Sequence, residues 1–265
     1  MGGIFGNRNI IKIVGVIVVC LAIVIVLRLV TDKKQSEEPV TEAATESVIE
    51  TNNLEIPEIT EVGEGTYSIE MNDGKALFTE DEIEYAKTTG FFIESSNLDT
   101  LSRPQMGWMN CDLEDKRSVD RDSELKDIKP VAWHVNGIYD KTHILSWELS
   151  NVDDIQNIIT ATEYLDKIEK AKYEKEIINY IEENPSTHVL YRVTPYYVDE
   201  ELVARGLLLE AYSIEDEGKF ELCVFVYNAQ PGSEIDYATG AYQETESLSD
   251  ALGISREELE ELEGN

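Results

Sequence analysis

Apolar residues dominate three stretches in the second half of the chain: THVLYRVTPYYV at 187–198, LVARGLLLEAYSI at 202–214 and KFELCVFVYNA at 219–229. Strand-like runs of this kind, bounded by turn residues, predict three strands. The short polar links DEE and EDEG between them predict an antiparallel meander. Ahead of these runs the pattern is helical. Over ATEYLDKIEKAKYEKEIINYIEEN, Tyr164, Ile168, Ala171, Tyr173, Ile177, Ile178 and Ile181 recur at helical spacing until Asn184-Pro185 ends the pattern.

Two further hairpins are expected from turn chemistry. TYSIEM and KALF flank Asn72-Asp73-Gly74, residue types that tolerate positive φ, and AWHVNGIYDKTHILSWEL reads as two short strands around Asn136-Gly137. Between them, Thr79 with Glu82 three residues on forms a capping box and starts a helix in TEDEIEYAK, and 91–130 is rich in loop residues. Near the C-terminus, Ser255 and Glu258 repeat the capping pattern ahead of a short acidic helix.

The first 65 residues do not read as packed globular sequence. Residues 13–27, IVGVIVVCLAIVIVL, carry no charge and are bracketed by Lys12 and Arg28, the pattern of a membrane-spanning helix with snorkelling ends. The charged RLVTDKKQSEE that follows argues against a cleaved signal peptide, and Val19 before Cys20 argues against a lipid-modified cysteine. Residues 31–65, rich in Glu, Thr, Ser and Pro, read as a disordered spacer. The expected organisation is an anchor at 1–30, a spacer at 31–65, one folded α+β domain at 66–243 and an acidic tail at 244–265. Cationic residues flank the apolar run on both sides, so charge leaves its orientation open.

Charge narrows the function. The chain carries −32 at neutral pH, of which −20 falls within 66–243. A protein that coats nucleic acid through a broad basic face is excluded; an enzyme with a locally positive cleft is not. Cys111 and Cys223 are too few for a disulfide framework, and a single bridge between them stays open.

YDKTHIL places His143, one of three histidines, at the end of a strand-like run. A histidine there is commonly a half-buried core residue. Followed by a helix that brings an oxygen ligand, it instead fits the layout of ββα-metal nucleases, in which histidine deprotonates water and the helix holds a divalent cation against the phosphate. His134, His143 and His188 lack the spacing of a zinc site, and Arg192 lies in a strand pattern with both cleft and solvent open to it.

The chain resembles the DNA/RNA non-specific endonucleases, most closely their secreted DNA-entry and type VII secretion (EssD-like) branch, over most of 67–242. FTEDEI, SNLDTLSR, IKPVAWH, YDKTHIL, NIITATEYLD, HVLYRVTPYY, LEAYSIEDEG and VYNAQPGSEIDYATG occur in the family's order. The resemblance implies an α+β ββα-metal domain with a central antiparallel sheet, Mg²⁺ or Mn²⁺ as cofactor, and DNA or RNA as substrate. It implies His143 as general base, with Lys141 where the family's Asp-Arg-Gly-His carries arginine. Asn157 opens NIITATEYLD, similar to the family's NLITGTRYMN, and falls on an asparagine that helps to fix the site. Asp166 falls on the metal-binding asparagine, Glu174 in YEKEI on the glutamate of FENKV that orients metal-bound water, and Arg103 in LDTLSR on an arginine near the phosphate.

Plainer roles compete for each position. Asp166 and Glu174 suit a solvated helix face, and in an unbroken helix would stand roughly 12 Å apart. Asn157 suits a helix cap, and Arg103 a surface ion pair. Lysine at 141 keeps the charge but loses the bidentate grip of arginine on phosphate, and aspartate at 166 adds a negative charge to the site. The expected protein is an anchored endonuclease. A cell-surface binding module whose altered motif no longer cuts is the alternative; a toxin-like effector fits less well with an anchor.

Overall fold

The fold is that of a computed structural model, which describes residues 55–59, 65–112, 124–134 and 137–263. The predicted anchor and most of the predicted spacer lie outside the described residues. Among the described residues no helix is long and apolar enough to cross a membrane.

The meander forms as predicted, with most residues of its strands buried on both faces. Strands β6 (Val189–Tyr196), β7 (Gly206–Ser213) and β8 (Glu221–Tyr227) pair antiparallel, with Arg192 opposite Glu210 and Glu210 opposite Cys223. Strands β1 (Ser68–Glu70), β2 (Phe92–Ser95) and β3 (Gly107–Cys111) extend it to a six-stranded antiparallel sheet in the order β1-β8-β7-β6-β3-β2. Gly206 is required where β7 meets β8, because a Cβ there would stand 2.4 Å from the Val226 carbonyl oxygen.

The pleat gives the sheet two differently covered faces. Val189, Tyr191, Val193, Leu207, Leu209, Ala211, Val224 and Val226 point to one side and pack under Leu165, Ile177 and Ile181. Each fully buried aliphatic chain there contributes about 1.5–3 kcal/mol. On the other side Arg192 is enclosed by Glu210 and Glu82, with Nε–Oε2 at 2.8 Å and Nη1–Oε1 at 2.7 Å. Arg192 therefore faces neither cleft nor solvent. Glu82 belongs to helix α1 (Glu80–Thr89), whose capping box with Thr79 forms as expected.

Both expected hairpins pair differently. Asn72, Asp73 and Gly74 adopt the anticipated positive φ, but the residues after them do not return as a strand; β1 joins the open edge of β8. Likewise 131–134 form no strand. Strand β4 (Tyr139–His143) pairs with β5 (Ile158–Thr162), with Lys141 opposite Thr160 and His143 opposite Ile158. Beyond His143 the chain turns into helix α2 (Trp147–Ser150) rather than continuing extended.

The long helix also differs from its pattern. Ala161 and Thr162 belong to β5, and the helix opens as a six-residue π segment, Leu165–Lys170, before helix α3 (Ala171–Glu183) ends at Asn184 as expected. A π segment inserts an extra residue per turn, so Asp166 and Glu174 are not joined by one regular helix.

Part of the expected spacer is packed. Ile56 and Ile59 lie against the cluster around Phe225 and Tyr227, Tyr227 donates to the Pro57 carbonyl at 2.8 Å, and Arg205 pairs with Glu58 at 2.9 Å. After β8, a hairpin of β9 (Ser233–Asp236) and β10 (Ala241–Glu244) leads to helices α4 (Leu248–Leu252) and α5 (Arg256–Glu263). Ser255 and Glu258 make the predicted reciprocal cap.

Candidate active site

The connection from β4 to β5 is closed by one side chain. Asn157, nearly inaccessible to solvent, accepts from the Leu145 N–H at 2.8 Å and donates to the carbonyls of Leu145 and Val152, both at 3.0 Å. Three bonds to backbone groups twelve and five residues away pull 144–156 into a tight bracket. Asp154 caps the 3-10 turn at its end by accepting from Gln156 at 2.9 Å.

The bracket returns Asp153 to the end of β4, where its Oδ1 lies 2.6 Å from His143 Nε2, each side chain only 11% exposed. An ionised carboxylate can only accept, so Nε2 must carry the proton. The lone pair of a neutral His143 is then on Nδ1. Sequence patterns did not single out Asp153. The only available signal was an aspartate pair in a polar stretch, and its meeting with His143 depends on the fold of the bracket.

The helix presents a second anionic group. Burial pushes the Asp166 carboxyl up to about 6, with Asp140 and Glu174 pushing the same way, while Lys170 and Thr142 act against the rise. The fully buried Thr142 hydroxyl makes no hydrogen bond of regular geometry, although it lies toward Asp166. Residues 140 and 142 share one face of the strand, opposite that of Lys141 and His143. Glu174 is engaged: Lys170 donates to its Oε1 from an almost wholly enclosed ammonium, and Tyr191 donates to the same oxygen at 3.1 Å.

The two expected phosphate cations are turned onto the protein. Lys141 Nζ donates to the carbonyls of Leu125 at 2.7 Å and Lys126 at 3.0 Å and sits 5.3 Å from the Trp133 ring centre. Arg103 pairs with Asp99 at 2.7 Å, donates to the carbonyls of Asp199 and Glu201, and lies over Tyr197. It ties the loop before β3 to the turn between β6 and β7. His188 pairs with Glu215 and Asp112 on another part of the surface.

Among the described residues no group of three His, Cys, Asp or Glu side chains converges as a metal site. The donor chemistry around Asp166 nevertheless suits a hard cation. It comprises a recessed carboxylate, a buried hydroxyl without a regular partner, and further carboxylates near enough to act on it.

An imidazole paired with a carboxylate at a strand end, as His143 is with Asp153, is chemically able to accept and return a proton. The chain belongs to the DNA/RNA non-specific endonuclease family, whose sequence profile matches residues 70–214, more than half its length. A deoxyribonuclease of Streptococcus dysgalactiae subsp. equisimilis is 30% identical over 92 residues, 35% of this chain and 28% of that protein. The alignment thus spans under a third of the relative. Among solved structures, NucA from Streptococcus agalactiae with magnesium bound superposes with a TM-score of 0.57 at 22% identity, covering 77% of this chain and 96% of NucA. Sda1 nuclease with bound zinc gives 0.56 at 19% identity, covering 67% and 96%. These similarities establish the shared fold.

Proposed function

We propose that this protein is a metal-dependent endonuclease of the ββα-metal type that hydrolyses DNA or RNA phosphodiesters with little sequence preference, held at the outer face of a membrane by its N-terminal apolar segment. The observation that carries this reading is the His143–Asp153 pair, at 2.6 Å, within the span matched by the family profile. His143 accepts a proton from the attacking water at one ring nitrogen. Asp153 keeps the other nitrogen protonated and stabilises the imidazolium that forms, a task for which a fixed anion in a poorly solvated site is suited. Asn157 acts through the bracket, holding Asp153 against the ring.

Asp166 is the residue assigned to hold Mg²⁺ or Mn²⁺, with Glu174 beside it and Asn157 fixing the nearby loop. When bound, the ion supplies positive charge that neutralises the phosphate and the departing oxygen. Lys141 and Arg103 reach a phosphate only by leaving their backbone carbonyls. That observation favours a second reading, a nuclease-fold binding module that no longer cuts.

Purified protein incubated with plasmid, linear DNA and RNA, each with Mg²⁺, Mn²⁺ or EDTA, separates the two. Cleavage that needs metal and falls by about 10²–10⁴-fold in His143→Ala is expected for a histidine base. Binding without cleavage in every arm would favour the module. For the anchoring, protease added to intact cells should release the folded domain; protection until lysis would refute the outward orientation.

A further inference from the structure

Lys170 is among the largest fully buried side chains of the domain, 2% exposed. It ends the π segment, four residues after Asp166 and four before Glu174. It donates to Glu174 Oε1. It is also the strongest of the groups that favour ionised Asp166. An ammonium is costly to bury unless anions surround it, and here Glu174 and Asp166 supply that charge. Glu174 is therefore already paired with a cation of the chain's own, and Asp166 feels the same charge.

We propose that Lys170 is a resident counter-cation of this site: its buried ammonium holds Glu174 and its charge reaches Asp166, so that a divalent ion binds against that charge and Lys170 sets the metal affinity. The inference rests on the reading of Asp166 as the metal-binding carboxylate. Two like charges in a recessed, poorly solvated site repel more strongly than they would in water. The wild-type site is accordingly tuned to bind metal weakly, and to fill only where the ion is plentiful.

The test is calorimetric titration of Mn²⁺ into the full-length chain in detergent, without nucleic acid, for wild type, Lys170→Met and Lys170→Gln. The glutamine keeps an N–H donor for Glu174 while removing the charge, which guards against loss of fold in the methionine variant. Either folded variant should bind Mn²⁺ about 10–100-fold more tightly than wild type, the range over which groups behind the ligands tune metal sites. Unchanged or weaker binding overturns the proposal. So does loss of the native circular dichroism spectrum in both variants, which would make Lys170 a structural ion-pair partner. Asp166→Ala separates the two levels. If it binds Mn²⁺ like wild type, or if wild type and both Lys170 variants bind none, the assignment of Asp166 fails and the Lys170 inference with it. If Asp166→Ala loses binding while the Lys170 variants match wild type, only the role of Lys170 is refuted.

Discussion

Asp166→Asn in metal-free protein tests whether the recess around this carboxylate is as unfavourable to charge as its surroundings imply. Burial raises the folded carboxyl to about 6 from an ordinary value of 3.8, so the folded state holds a proton that the unfolded chain releases. Stability associated with the group is therefore full below about pH 4 and is lost as pH rises through about 6. At about 1.4 kcal/mol per unit the loss has an upper bound of about 3 kcal/mol, and because the residue retains some solvent contact we take about 1–2 kcal/mol. Asparagine has no charge to bury. In urea unfolding with EDTA present, Asp166→Asn should exceed wild type by that amount at about pH 8 and match it at about pH 4. A difference that is the same at both pH values would mean a packing change rather than a charge effect. No difference at pH 8 would mean that Lys170 already compensates Asp166 in full.

Asp153→Asn should lower the cleavage rate about tenfold or more without altering Mn²⁺ affinity; in the His143→Ala background it should cost nothing further, because it acts through the imidazole, and an additive loss in the double variant would make it a folding residue instead. Arg192→Met should destabilise the domain by about 3–5 kcal/mol in denaturant titration, since Glu210 and Glu82 are then left as uncompensated buried charges; a loss under 1 kcal/mol would show that they take up protons or water cheaply.

What the sequence determined by itself is the local layer of this protein. Turn-bounded strand runs over 187–229, a capping box at Thr79 and Glu82, a cap at Ser255 and the stop at Asn184-Pro185 each depend on residues close in the chain, and each is found in the structure. The same holds for His143 as a candidate, whose place at a strand end could be read from YDKTHIL and the blocks around it. Partner choice was not legible. The turn residues at 72–74 take their expected conformation, yet β1 hydrogen-bonds to β8, more than 150 residues along the chain. The Asn136-Gly137 dipeptide promised a neighbour for β4, yet β5 supplies it from beyond a bracket closed by Asn157. Neither choice is encoded in a period, because any strand edge can pair and only the packed core selects which does. The chemistry divides the same way. Sequence blocks made candidates of His143, Asp166 and Glu174, whereas the contacts of Asp153 with the imidazole and of Lys170 with Glu174 were decided in three dimensions. A charge's partner is whichever group the fold brings within a few ångströms, in a medium whose polarity the fold also sets, and neither quantity exists in the chain before it folds.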